Sequence, residues 1–159
     1  MENEIKILGK DFYLQPLQQL ATLQKNLDDK FGKKGLDLLY ETGKESFFKL
    51  SRDMEKFYDN KEKFYQVLSS LISNFGFGEI EIIEIKQKEL KAKVKVKTNP
   101  FAKEYIKLFG FQKKAIDYLL SGIIAGYFSK FFEKNVECKE ESCIGKRNQI
   151  CEFVVGKIS

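Results

Sequence analysis

QKKAIDYLLSGIIAGYFSKFF, residues 112–132, is the stretch on which the fold turns. Ile116, Leu119, Leu120, Ile123, Ile124, Tyr127, Phe128 and Phe131 recur at helical spacing and cover most of the helix circumference. A helix that is apolar nearly all round belongs at the centre of a domain, so the pattern predicts one long buried helix over about 112–132. Gly122 and Gly126, four residues apart, leave room for another backbone to come close. Asp117 is the exception on this helix. If buried, its carboxyl must be paired, hydrogen-bonded or metal-bound; the alternative is an exposed edge of the helix.

The segments on either side fix the class. Upstream, Pro16 suits the first turn of a helix. Leu17, Leu20, Leu23, Leu27 and Phe31 follow at helical spacing up to Gly32. A second helix is predicted from about Gly35 to Tyr58, with Leu36, Leu39, Tyr40, Gly43, Phe47, Leu50, Met54 and Phe57 inward. A third runs over 61–74, capped by Asn60, with Phe64, Val67, Leu68, Leu71 and Ile72 inward. Residues 79–86 then read as a strand whose alternation slips, hinting at a bulge. Residues 90–97 alternate strictly, with Leu90, Ala92, Val94 and Val96 on one face and four lysines on the other, as in a half-buried antiparallel strand. Thr98-Asn99-Pro100 reads as a turn, 101–109 as a short helix, and 135–141 and 149–158 as closing strands. Residues 5–14 are a mixed start holding a short strand. The expectation is an α+β domain, an antiparallel sheet of about four to five strands packed with helices. It forms one unit over 1–159, with 1–34 an N-terminal strand and helix extension and 35–159 the core.

Composition narrows the function classes. With 43% apolar residues in 159, the chain can bury a single core. The net charge of +5 comes almost wholly from lysine interleaved with glutamate, and Arg52 and Arg147 are the only arginines. That is a solvated charged surface and not a nucleic-acid-binding one. No apolar run is long enough to span a membrane. The N-terminus lacks the pattern of a secretory signal, so a cytoplasmic location is expected.

Cys138, Cys143 and Cys151 fall within fourteen residues. An odd number of cysteines in a reducing compartment argues against a disulfide framework and leaves metal ligands or buried thiols. Cys143 and Cys151 flank a loop carrying Gly145, which can bring two thiols to metal-binding distance. Cys138 and Glu140 share one face of a strand, and either could add a third ligand. Spacing alone leaves metal and inert thiols evenly matched.

Three motifs together resemble the 4-vinyl reductase domain family. They are Leu38-Leu39-Tyr40-Glu41-Thr42-Gly43-Lys44-Glu45, the run from Asp117 through Gly126, and Glu140-x2-Cys143-x-Gly145-x5-Cys151-x-Phe153. Relatives of that family include sensor domains of phenol-responsive transcription activators and subunits of the TRAPP transport complex. The resemblance implies a structural zinc site held by Glu140, Cys143 and Cys151. Its fourth ligand is a central-helix cysteine in the phenol sensors and falls on Asp117 here. Aspartate can ligate zinc; otherwise Cys138 replaces the missing thiol. The resemblance also implies an apolar cavity between sheet and central helix, for which Tyr40, Gly43, Phe47, Ile124 and Phe128 are candidate walls.

The chain has no histidine, no P-loop and no dinucleotide-binding glycine pattern. It therefore reads as a binding domain and not an enzyme. The leading expectation is a small-molecule sensor for a hydrophobic or aromatic ligand, built as a homodimer. Two alternatives stand beside it. One is a protein-assembly module without ligand. The other is an accessory reductase in tetrapyrrole or hydrocarbon metabolism.

Overall fold

The structure is a computed structural model that describes residues 5–7, 10–56 and 59–157. Phe57, Tyr58 and Ile158, and the side chains of Phe12, Phe64 and Leu68, lie outside the described residues. Two short strands, β1 (Ile5–Ile7) and β2 (Lys10–Phe12), pair antiparallel. Helices α1 (Leu17–Phe31), α2 (Lys33–Glu55) and α3 (Lys61–Ile72) follow. The chain continues through β3 (Ile80–Lys86), β4 (Lys91–Val96), α4 (Pro100–Phe109), α5 (Tyr118–Phe132), β5 (Glu137–Ser142) and β6 (Cys151–Gly156). The last four strands form one antiparallel sheet in the order β3-β4-β6-β5. This is the α+β architecture expected from the sequence.

Each element follows from local chemistry. Asn60 and Asn99 cap α3 and α4, their side-chain oxygens accepting from Lys63 N at 3.0 Å and Ala102 N at 2.9 Å. Pro100 occupies the first turn of α4, where a missing N–H costs nothing. On β4, Ala92, Val94 and Val96 point into the core. Lys93 and Lys95 reach across to Glu152 on β6, and Lys97 to Glu79 and Glu81. The slip in the alternation of β3 is a register shift between Ile82 and Glu84.

Helix α5 runs between the sheet and α2. Leu120, Ile124 and Phe128 are fully buried, together with Val94, Val96, Phe153 and Val155 from the strands. Against α2 the contact is backbone to backbone. A Cβ on Gly122 would lie 2.0 Å from the Tyr40 carbonyl oxygen, and one on Gly126 would lie 2.4 Å from that of Lys44. From the other side, a Cβ on Gly43 would lie 2.4 Å from the Leu119 carbonyl oxygen. Glycines on both helices thus set their separation. α2 is also tied to β5, since Tyr40 and Lys44 both donate to the Glu137 carboxylate and the Cys138 amide donates to Tyr40 Oη at 2.9 Å.

The central helix departs from its predicted bounds. It begins at Tyr118, six residues later than the pattern suggests. Residues 112–117 have other uses for their amides. Gln112 N donates to Gly145 O at 2.8 Å, and Ile116 N and Asp117 N donate to Glu140 Oε2 at 2.9 and 3.2 Å. Asp117 is therefore a cap residue at a buried corner, 2% exposed, and not part of a helix face.

The glycine contact predicts a graded response. Gly122→Ala should lose about 1–3 kcal/mol of stability by overpacking, read from urea unfolding. Gly156→Ala, where nothing lies within 4 Å of an added Cβ, should be near neutral.

Candidate metal centre

Three ligand-type side chains converge where β5, the loop after it and the start of β6 meet α5. Glu140, Cys143 and Cys151 are all buried, and their donor atoms lie within 4.8 Å of one another. A change of register in β5 brings them together. Glu140 pairs with Phe153 and faces inward, yet Ser142 pairs with the outward Glu152, so the ladder slips at Glu141. Strict alternation would turn Ser142 inward and Cys143 outward. The bulge reverses that parity and buries Cys143 beside Glu140.

The loop from Cys143 to Cys151 is tight. Cys143 O accepts from Lys146 N at 2.9 Å and Asn148 N at 3.2 Å, and Cys143 N donates to Asn148 Oδ1 at 3.2 Å. Gly145 N donates to Cys143 Sγ at 3.3 Å. A Cβ at Gly145 would lie 2.5 Å from Ile116 Cδ1, so only glycine lets this turn close onto the strand-like lead into α5. The two sulfurs end 3.9 Å apart. Two metal–sulfur bonds of ~2.3 Å at the tetrahedral angle would separate them by about 3.8 Å.

Asp117 stands beside this trio. Its Oδ2 accepts from Asn99 Nδ2 at 2.5 Å, and the same nitrogen donates to Cys151 Sγ at 3.6 Å. Cys138 lies on the inner face of β5, two residues before Glu140, and outside the trio. Of the sequence-predicted ligands, the fold thus gathers Glu140, Cys143 and Cys151, places Asp117 next to them through Asn99, and leaves Cys138 apart. The role of Asn99 was not legible, because Asn99-Pro100 read only as a turn.

The predicted cavity walls do not line one space. Tyr40 is bound to Glu137, Gly43 closes the α2–α5 contact, and Phe47 is buried core. Ile124 and Phe128 face a void of about 10 Å³ between α3, α5 and the sheet. A wider groove of about 490 Å³ opens beside that void, lined by Tyr65, Ser69, Ile82, Ile85, Tyr127 and Phe131 among others, and it shares Ser69, Ile82 and Tyr127 with the void.

The electrostatics around the trio favour a bound cation. Burial raises the pKa of Asp117, and the neighbouring Glu140 raises it further; burial also raises that of Glu140. Cys143 is pushed well above the usual thiol range, first by its hydrogen bond with Cys151 and then by burial. Cys151 is lowered by the same bond, so the shared proton rests on Cys143. Burial raises Cys138. The nearest cation felt by Glu140 is Lys146, whose amine is committed to the Glu141 carbonyl at 3.0 Å. Glu140 Oε1 is buried and has no hydrogen-bond partner. An orphaned carboxylate oxygen beside two thiols fits a metal ion, which would satisfy that oxygen and replace the protons.

The sign of the pH effect follows. The ordinary values are 3.8 for Asp117 and 4.5 for Glu140, and both are raised in the fold. With metal chelated, the folded chain therefore holds protons that the unfolded chain has released once the pH passes those ordinary values. Its stability should be full below them and should fall as pH rises through the raised folded values. Melting curves in chelator from pH 4 to 8 should show this decline, and added metal should remove it. A chelated protein no less stable at pH 8 than at pH 5 would overturn the assignment.

No helix among the described residues is long and apolar enough to cross a membrane. No curated protein matches the chain in sequence. Among solved structures, the phenol-responsive sensory domain of the transcription activator PoxR, with phenol, superposes with a TM-score of 0.82 at 18% identity, covering 98% of this chain and 81% of that one. Trafficking protein particle complex subunit 3 from Naegleria fowleri, covalently bound to palmitic acid, gives 0.60 at 14% identity, covering 90% and 95%. A vinyl-4-reductase family protein from Methanocaldococcus jannaschii gives 0.54 at 19% identity, covering 93% and 98%. Residues 93–157, which hold α5 and the whole cysteine loop, match the 4-vinyl reductase domain, the family that the helix and cysteine motifs resemble.

Proposed function

We propose that the chain is a small-molecule-binding sensor domain whose metal site is a structural zinc centre. The unpartnered, buried Oε1 of Glu140 beside two thiols 3.9 Å apart carries the metal part of this reading. Two thiolates select a borderline-soft ion over calcium or magnesium, and carboxylates complete a set that zinc accepts. Glu140, Cys143 and Cys151 are three ligands, and Asp117 is the fourth in place of a thiol. Four protein ligands leave no open position, so the zinc clamps the β5–β6 loop to the start of α5 and activates no water.

The ligand site is the groove between α3, β3 and α5. Its lining is aromatic and aliphatic: Tyr65, Tyr127, Phe131, Ile82 and Ile85. Ser69 Oγ and Tyr127 Oη, 3.3 Å apart, supply a polar anchor. A hydrophobic or aromatic molecule with one hydroxyl suits such walls. Displacing α3 outward would join the groove to the void below it and enlarge the site. Signalling then passes to a partner or a second copy. The exposed Leu23, Phe31 and Leu38 on α1 and α2 offer apolar surface for a homodimer. The cytoplasm, where thiols stay reduced, suits this ligand set.

A second reading has its own support. The enclosed space is only about 10 Å³, so the interior is filled as it would be in an assembly module. Thermal-shift titration with phenols and medium-chain hydrocarbons separates the two. A sensor gains stability with at least one of them, and Ile82→Arg abolishes the gain; an assembly module responds to none.

Native mass spectrometry with metal analysis tests the centre. One zinc per chain is expected. Cys151→Ser should lose the ion and, at free zinc a hundred times Kd, about 2.7 kcal/mol of stability. Protein prepared without chelator and free of zinc would overturn the metal reading.

A further inference from the structure

We propose that Asn99 is the positioning residue of the metal centre, presenting Asp117 and Cys151 to the ion as anions; this rests on the zinc reading above. Asn99 is 1% exposed, and every polar atom of its side chain is used. Oδ1 accepts from Ala102 N at 2.9 Å as the cap of α4. That bond fixes which end of the amide faces the site, because a flipped amide would lose the cap. The NH2 group must therefore face the centre. It bonds Asp117 Oδ2 at 2.5 Å and Cys151 Sγ at 3.6 Å. Asn99 cannot itself be a ligand through nitrogen, since an amide nitrogen with two protons donates and does not accept. It acts on two ligands instead, which is how outer-shell hydrogen bonds orient and tune metal donors.

This role has a specific consequence in this chain. An aspartate can rotate about its side-chain bonds and turn away from a site. The bond from Asn99, anchored by the backbone of α4, limits that rotation and holds the carboxylate beside Cys151. The same asparagine sets the start of α4, whose Phe101, Ala102 and Tyr105 are buried in the core. The geometry of the centre and the placement of α4 are thereby coupled through one side chain.

The test uses the purified full chain loaded with cobalt(II), whose absorption reports coordination number and sulfur ligation. Asn99→Ser keeps an oxygen to cap α4 but removes both amide protons. Asn99→Gly, also well tolerated at helix starts, serves if the serine variant does not fold. The wild type should bind one cobalt with a four-coordinate spectrum. The variant should bind it 10–100-fold more weakly in chelator competition, with weaker d–d bands as the carboxylate leaves and solvent enters. A variant with wild-type affinity and spectrum would overturn the role of Asn99 while leaving the metal reading intact. A wild-type chain that takes up neither cobalt nor zinc would overturn both.

Discussion

A carboxylate from the sheet meets the first turn of the central helix, and much of the domain is arranged around that meeting. Glu140 Oε2 accepts the amides of Ile116 and Asp117 where they enter α5. The first amides of a helix have no partners within it, and their dipoles favour a negative charge. Glu140 supplies that charge from β5 and so fixes the height of α5 over the sheet. It also stops the helix from starting earlier, which leaves Asp117 at the corner. The oxygen of Glu140 that the helix does not use is the one left without a partner. One side chain therefore both docks the helix and begins the metal centre.

The α5 helix then separates two regions of different chemistry. Its N-terminal end meets carboxylates and thiols. Its C-terminal half, with Tyr127, Phe128 and Phe131, meets the apolar space under α3. Between them, the glycines of α2 and α5 bring two backbones into contact with no side chain to yield. A disturbance at one end is carried as movement of the whole helix pair or is not carried, because close-packed backbones do not deform gradually. α3 makes no such contact with α5, and the groove lies along it.

Much of this was legible in the sequence because periodicity reports burial directly. The apolar circumference of α5, its glycine pair and the lysine face of β4 each map to one observed surface. The three clustered ligands were legible through the Glu140, Cys143 and Cys151 spacing together with the family resemblance. What was hidden is non-local. The helical pattern runs smoothly through 112–117, but amides there are claimed by Gly145 and by Glu140, partners distant in sequence. The cavity walls were chosen by apolar character, yet Tyr40 and Gly43 serve a hydrogen bond and a backbone contact. Asn99 showed only its local capping signal, since its bonds to Asp117 and Cys151 cross 18 and 52 residues.

The slip at Glu141 gives the centre a sensitivity of another kind. Glu141 is exposed, and its side chain is not among the ligand-type groups gathered at the centre. Many replacements there would pass unnoticed, but its deletion would not. Removing one residue restores simple alternation and turns the following cysteine to the solvent side of the sheet. The site is therefore written in the number of residues between Glu140 and Cys143 as much as in their identity. In the drift of related chains, this segment should accept exchange of letters far more readily than gain or loss of length.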